Sequence, residues 1–173
     1  MIETNRLLLR VATPKDTNSI LNFINSEFSK KYNPYDSYSE IRLWKHLKDN
    51  ESLVVILKKT EEIIGLIGFE EDMIRININA ISLNYVLNEK YTNNGFMTEA
   101  LKETLRYCFL VKKYDLVSLR IIASNAASIQ VAKKVGFTYE GLIRQSIKSN
   151  DNVIYDQVIY SMTRKEFEEN PLL

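Results

Sequence analysis

A nine-residue run, Thr92-Asn93-Asn94-Gly95-Phe96-Met97-Thr98-Glu99-Ala100, joins a β-like segment, Ile81 to Leu87, to a long amphipathic helix through a short polar loop. The chemistry such a loop can do is anion binding. The first turn of a helix carries N–H groups with no partner inside the helix, and the aligned peptide dipoles add partial positive charge there. A phosphate answers both needs. Gly95 has no Cβ, so its backbone can take positive φ and a bulky phosphate can come close, while Asn93 and Asn94 tolerate the left-handed region. An ordinary strand-to-helix turn would use the same residues for conformational reasons alone, because a single glycine motif is a weak signal.

A second segment, Asn125-Ala126-Ala127-Ser128 through Lys133-Lys134-Val135-Gly136-Phe137, follows a β-like run, Leu116 to Ala123. Asn125 offers both a donor and an acceptor to an amide, or a cap to the helix that begins there. Gly136 is the residue expected just past a helix C-terminus. The remaining reactive side chains read as structural. His46, the only histidine, falls on a helix face opposite much of the apolar stripe. Cys108 recurs with Met97, Leu101 and Leu105 at helical spacing, as a small core hydrophobe. No cysteine–histidine spacing of a metal site is present, so no metal is expected.

The elements that must position these residues alternate between the periods of strand and helix. Arg6 to Val11 reads as a strand, and Thr13-Pro14-Lys15-Asp16 as a helix start ahead of Ile20, Leu21, Phe23 and Ile24. Asn33-Pro34 favours a turn. Glu40 to Lys48 reads as a helix with Ile41, Trp44 and Leu47 on one side, which with the preceding helix would form a mobile cover. Ser52 to Leu57 and Ile63 to Phe69 form a hairpin across Lys58 to Glu62. Ile74 to Leu87 continues the sheet across an Asn-rich stretch. Phe137 to Ile147 and Val153 to Met162 close it as a hairpin around Ser149 to Asn152. The order is α/β (α+β), with an antiparallel front half and two β-α units behind.

At 173 residues, 45% hydrophobic and 26% charged, the chain is long enough for one substantial core and is expected to form a single domain over 1–173. Lys and Arg total 23 against 22 Asp and Glu, a net charge of +1. That leaves no broad field for nucleic acid or anionic lipid, so neither a nucleic-acid nor a membrane partner is expected. A single cysteine excludes an intramolecular disulfide, and no apolar run is long enough to span a bilayer. A reducing, cytoplasmic location is the expectation, as a monomer or homodimer.

With both segments in view, the chain resembles the GNAT superfamily of acetyl-CoA-dependent N-acetyltransferases, in which an Asn-x-x-Ser helix start and a following Gly-Phe come after the pyrophosphate loop. Glu3-Thr4-Asn5-Arg6-Leu7-Leu8-Leu9-Arg10 resembles the opening of its Rim-type (RimJ- and RimL-like) branch. Glu140-Gly141-Leu142-Ile143-Arg144, Tyr155-Asp156 and Tyr160-Ser161-Met162 resemble that branch's closing strands. The likeness implies a mixed, mostly antiparallel sheet flanked by helices, with a splayed strand pair forming the acetyl-CoA cleft. It covers nearly the whole chain and is weakest between Phe28 and Asn50, where the superfamily recognises its acceptor.

The resemblance also implies roles. Backbone amides of Asn94, Gly95, Phe96, Met97 and Thr98 would hold the diphosphate. Val86 and Leu87 would pair with the pantetheine arm as an added strand would. Asn125 would bind its amides, and Lys134 would reach the ribose phosphate. The family loop has Gln or Arg where this chain has Thr92 and a small residue where it has Met97, and both departures bear on cofactor affinity. Acetyl transfer needs a neutral amine, a polarised carbonyl and a proton for the departing thiolate. Ser128 would be the general acid, with Tyr160 a rival donor, and Glu70 the base acting through water. The acceptor so implied is a primary amine: a protein N-terminal α-amine of the ribosomal-protein type, or a small amine such as a polyamine or an amine-bearing antibiotic. A catalytically silent acyl-CoA-binding module and a generic nucleotide-binding domain are the other readings; the second leaves Asn125 to Phe137 without a purpose.

Overall fold

The structure, a computed structural model, describes residues 1–33, 37–171 and 173. The turn expected at Asn33-Pro34 lies partly outside the described residues. Contacts group the chain into two compact units, Met1–Phe69 with Tyr85–Ala100, and Glu70–Asn84 with Leu101–Leu173. Three elements run from one unit into the other: β4 (Glu62–Glu71), β5 (Ala80–Leu87) and α4 (Phe96–Arg106).

The first unit is built on β1 (Ile2–Glu3), β2 (Leu7–Val11), β3 (Ser52–Leu57) and β4, paired antiparallel in that order. Leu7 and Leu9, two apart, share one face and are fully buried, while Leu8 packs on the other against a cluster of Ala12, Ile20, Phe23, Ile24, Leu43, Leu47, Val54, Ile56 and Leu66. That cluster is where α1 (Thr17–Ile24) and α3 (Glu40–Asp49) dock; the short α2 (Glu27–Lys30) lies between them in the chain. The helix start at Thr13 takes the form of a 3-10 turn, Pro14–Asp16, leading into α1. The buried Asp16 carboxylate accepts from the Thr13 amide at 2.8 Å and from both terminal nitrogens of Arg10, at 2.8 and 2.7 Å.

On α3 the expected apolar side is corrected. Leu43 and Leu47, four residues apart, take the seat on the cluster, whereas Ile41 is 80% and Trp44 44% exposed. The Lys48 ammonium lies 5.2 Å from the centre of the Trp44 ring, within cation–π range of it.

The second unit pairs its strands in the order β5, β6 (Leu116–Ile122), β8 (Ile154–Thr163), β7 (Thr138–Lys148). β5 and β6 run parallel, an arrangement that needs a crossover such as the one α4 supplies, and β6–β8 and β7–β8 run antiparallel. The β5–β6 ladder spans Ala80 to Leu83 against Leu116 to Leu119 and ends there, although β5 runs on to Leu87 and β6 to Ile122. After α4 a π-helical turn over Tyr107–Val111 buries Cys108 and Phe109. α5 (Ala126–Val135) starts on Asn125 and stops at Gly136, whose φ of 97° is the left-handed value a C-terminal glycine supplies.

The strand expected from Ile74 is also corrected: β5 begins only at Ala80. Asp72 explains the difference. Its carboxylate accepts from the Ile74 amide at 2.9 Å, from Arg75 at 2.8 Å and from the Ser118 hydroxyl at 2.7 Å, which bends the chain into a turn. Asn77 then takes φ of 60°, and Ile76 is 84% exposed. A helix the sequence reading left out, α6 (Arg164–Glu169), follows β8. Its signal was present: Thr163 and Glu166 form a capping box, each bonding the other's backbone.

Candidate active site

In the first unit, β5 leads through a 3-10 turn, Glu89–Tyr91, into the loop and α4. The Asn88 amide still bonds the Ile64 carbonyl at 2.8 Å, so the approach to the loop remains tied to β4. The Tyr91 hydroxyl donates to the Glu62 carboxylate, which this bond holds below the usual carboxylate range, and the Tyr91 ring meets Phe96 edge-on. Thr92 uses its hydroxyl on the Glu89 carbonyl at 2.8 Å, closing the turn. The Asn94 side-chain amide donates to the Thr92 carbonyl at 2.8 Å.

Asn93 and Gly95 adopt φ of 61° and 74°, the nest-forming conformation that Gly and Asn make accessible. The Gly95 carbonyl accepts from the Glu99 amide at 3.0 Å, leaving the amides of Phe96, Met97 and Thr98 as first-turn donors without an acceptor in the helix. The nearest atom to a Cβ built on Gly95 is the Arg6 Nη2 at 3.7 Å, so the space over the glycine is open. A diphosphate fits this set: left-handed backbone, exposed Asn94 and Gly95, and donors at the positive end of an eleven-residue helix. Met97 is buried and its Cε lies 3.5 Å from where a Cβ on Gly65 would stand. The bulk that departs from the family loop is therefore taken up below it, in space that Gly65 leaves.

Sequence reasoning missed what fixes this loop. Arg6 on the N-terminal segment donates through Nε to the Glu99 carboxylate at 2.7 Å, pairs with it through Nη2 at 2.6 Å and bonds the Asn94 carbonyl through Nη1 at 3.0 Å. Its guanidinium stands 4.4 Å from the centre of the Phe96 ring. The Thr4 hydroxyl donates to the same carboxylate at 2.5 Å. Burial opposes ionisation of Glu99, but the bonds from Thr4 and Arg6 outweigh it and hold its pKa below the ordinary value. The two ends stand in separate motifs, Thr4-Asn5-Arg6 and Thr98-Glu99-Ala100, which only the folded chain brings together.

The second unit holds the other candidates. Asn125 caps α5 by accepting the Ser128 amide through Oδ1 at 3.2 Å, and both residues are half-buried. Lys133 and Lys134 are exposed in the last turn of α5. Tyr160 is buried on β8, opposite Leu119 on β6 and Tyr139 on β7, its ring edge-on to Tyr139 at 5.4 Å. Glu70, half-exposed near the end of β4, lies 3.7 Å from the Arg120 guanidinium. Arg120 is opposite Ile159, one step from Tyr160, so strand alternation puts Glu70 and Tyr160 on opposite faces of the sheet. His46 is half-buried on α3 with its ring 5.8 Å from that of Tyr38. Among the described residues no group of three acidic, Cys or His side chains is placed to hold a metal, and no helix is long and apolar enough to cross a membrane.

Comparison with known proteins adds four findings. The [Ribosomal protein uS5]-alanine N-acetyltransferase of Escherichia coli is 23% identical over 180 residues, covering 96% of this chain and 92% of that protein. A GNAT-family acetyltransferase from Bacillus anthracis superposes with a TM-score of 0.85 at 26% identity, covering 95% of this chain and 99% of that one. Spermidine N-acetyltransferase from Vibrio cholerae, solved with CoA and spermine, superposes with a TM-score of 0.82 at 20% identity, covering 95% and 99%. The acetyltransferase (GNAT) domain family matches residues 6–138, from the arginine that grips the loop to the first residue of β7. The chain therefore belongs to the GNAT family of acetyltransferases and is an N-acetyltransferase of the kind that uses acetyl-CoA.

Proposed function

We propose that this enzyme moves the acetyl group of acetyl-CoA directly to the α-amine of a protein N-terminus, of the ribosomal-protein type. The observation that carries the reading is the open nest at Asn93 to Gly95 ahead of the first turn of α4, in a chain 96% of which aligns with a ribosomal-protein acetyltransferase. The backbone amides of Asn94 to Thr98 hold the diphosphate, and Val86 and Leu87 present their main chain to the pantetheine arm. Lys134 faces the ribose phosphate and Asn125 the arm's amides.

Glu70, through a water, takes a proton from the acceptor ammonium, and the freed lone pair attacks the thioester carbonyl carbon. As the carbon–sulfur bond breaks, the Ser128 hydroxyl gives its proton to the departing thiolate and regains one from the acylated nitrogen, which sheds its excess proton to become the neutral amide. Tyr160 is the alternative donor. No bond to the enzyme forms, so the reaction needs both substrates bound at once.

A second reading, acetylation of a polyamine or other small amine, is supported by the fold shared with the spermidine enzyme. One experiment separates them: thiol release from acetyl-CoA with peptides beginning in Ala, Ser or Met, set against spermine and an aminoglycoside, with mass spectrometry of each product. Acetylated peptide N-termini support the proposal. Acetylated spermine alone moves the enzyme to the second reading, and saturable acetyl-CoA binding with no amine-dependent thiol release marks a silent module.

A further inference from the structure

We infer that Arg6 and Glu99 form a charge-neutral clamp that sets the cofactor loop's conformation and shields the incoming diphosphate from Glu99's negative charge. The inference rests on the loop being the diphosphate site. An acidic residue in the first turn of a helix stabilises the helix through its dipole. In this protein the same turn must also receive an anion, and an unopposed carboxylate there competes with it.

Arg6 resolves the conflict by geometry. Two of its nitrogens meet one carboxylate oxygen of Glu99, at 2.7 and 2.6 Å, so charge cancels within the pair. The third nitrogen holds the Asn94 carbonyl at 3.0 Å, so that acceptor is engaged by a cation rather than left to oppose an anion at the loop. The backbone amide of Arg6 donates to the other Glu99 oxygen at 3.2 Å, and Thr4 reaches that oxygen at 2.5 Å, so the carboxylate is bound by side chain and main chain of one segment. The guanidinium carbon lies over the ring of Phe96, the first residue of α4, 4.4 Å from its centre. Arg6 thus touches the loop carbonyl before Gly95, the ring after it and the carboxylate one turn on. It is a positioning residue, reaching the cofactor only through these groups.

Removing Arg6 alone then does two kinds of harm, freeing the Asn94 carbonyl and uncovering a negative charge; removing the charge of Glu99 as well repairs the second. The test is calorimetry with CoA, and steady-state kinetics with acetyl-CoA, for the parent, Arg6→Met, Glu99→Gln, the double variant Arg6→Met/Glu99→Gln, and Arg6→Lys. Arg6→Met is expected to weaken CoA binding about tenfold and to raise the acetyl-CoA KM alike, with kcat at saturation unchanged. The double variant recovers part of that loss, Arg6→Lys falls between Arg6→Met and the parent, and added salt narrows all the differences. Acetyl-pantetheine, which lacks the diphosphate, is a poor substrate to the same degree with every variant.

Parent-like affinity in Arg6→Met, or a double variant weaker than Arg6→Met, overturns the clamp. Gly95→Val, run beside them, keeps the two claims apart: if it loses CoA while Arg6→Met does not, the loop reading stands and the clamp falls. If Gly95→Val also binds like the parent, the loop is not the site. Should Arg6→Met not fold, the order of parent, Arg6→Lys and Glu99→Gln decides, since a purely structural role predicts no ligand-specific salt dependence.

Discussion

Gly65 on β4 sits so close to Val86 on β5 that a Cβ added to it would stand 2.9 Å from the Val86 carbonyl oxygen and 3.2 Å from Leu87 Cδ1. The first of these contacts is with backbone, which cannot swing aside as a side-chain tip can. Gly65→Ala is therefore expected to push the end of β5 outward, costing about 1–3 kcal/mol by denaturant unfolding, the range for overpacking. Because Val86 and Leu87 are the proposed seat of the pantetheine arm, the acetyl-CoA KM should rise with it. A variant as stable as the parent with an unchanged KM would mean that the two strands have slack here and that Val86 is not held for the cofactor.

At Gly95 the expectation is the reverse, a large effect on binding and a small one on folding. Its φ of 74° carries a penalty for any L side chain of about 1–2 kcal/mol, yet the surrounding space is open in the unliganded fold. Gly95→Val should lower Tm by a few degrees and raise the CoA dissociation constant by more than about tenfold, since a branched side chain fills the space a diphosphate needs. Differential scanning calorimetry with and without CoA reads both effects. Retention of the ligand-induced Tm shift would dismiss the loop as the binding site.

These two glycines illustrate what the sequence could and could not disclose. Gly95 was legible because its need is local: a strand, a polar loop and a helix start specify a left-handed residue within a few positions. Gly65 was not, because its partners Val86, Leu87 and Met97 are remote in the chain and meet only when β4 and β5 pair. The same division holds elsewhere. Asn125 and Gly136 were readable as the ends of α5, while the Ile74 to Asn79 stretch, alternating like a strand, was turned aside by Ser118 reaching Asp72 from β6. On α3 the pattern admitted two apolar faces, and only the cluster around Ile20 and Val54 selects Leu43 and Leu47 over Ile41 and Trp44. The Arg6–Glu99 pair spans most of the first unit, and no spacing rule connects its two ends.

Asp72 sets an acid limit on stability. Burial disfavours its charge, but bonds from Ser118, the Ile74 amide and Arg75 overcome this and hold its pKa below the ordinary aspartate value. A carboxyl whose folded pKa is depressed stabilises the fold fully above its unfolded pKa, and loses that contribution as pH falls through the folded pKa. Stability should thus be flat from neutral pH down to about pH 5 and drop below about pH 4. Asp72→Asn, which keeps size but not charge, should cost about 2–4 kcal/mol at pH 7 and flatten the acid limb, because Arg75 and Ser118 lose the anion they share. Chemical denaturation at pH 7, 5 and 3.5 checks it; parallel curves for the two proteins would remove Asp72 from the account.

Asn125 and Ser128 can be separated because the cap bond uses the Ser128 backbone amide rather than its hydroxyl. Asn125→Ala should cost about 1 kcal/mol through the lost cap, whatever its part in catalysis. Ser128→Ala leaves that bond in place. A fall in kcat of about ten- to a hundredfold with an unmoved Tm would then report loss of the proton donor alone. If Ser128→Ala turns over like the parent while Tyr160→Phe does not, the donor is the tyrosine on β8.

Glu70 as the base and Tyr160 as the rival acid act in opposite protonation states, so their loss makes different demands on pH. A general base acts in its ionised form, and its advantage is greatest where solution leaves the acceptor amine protonated. Glu70→Gln should therefore depress kcat/KM by about ten- to a hundredfold near pH 6, with the deficit narrowing as pH rises toward the amine's own pKa and the free amine becomes abundant without help. Tyr160→Phe removes a donor, so its deficit should instead persist or widen at high pH, where solvent protons for the thiolate are scarce. Profiles measured from pH 6 to 9.5 with one peptide acceptor distinguish the two variants by slope as well as by size. A Glu70→Gln profile lying parallel to the parent's at every pH would leave proton removal to water or to another group and strike Glu70 from the mechanism.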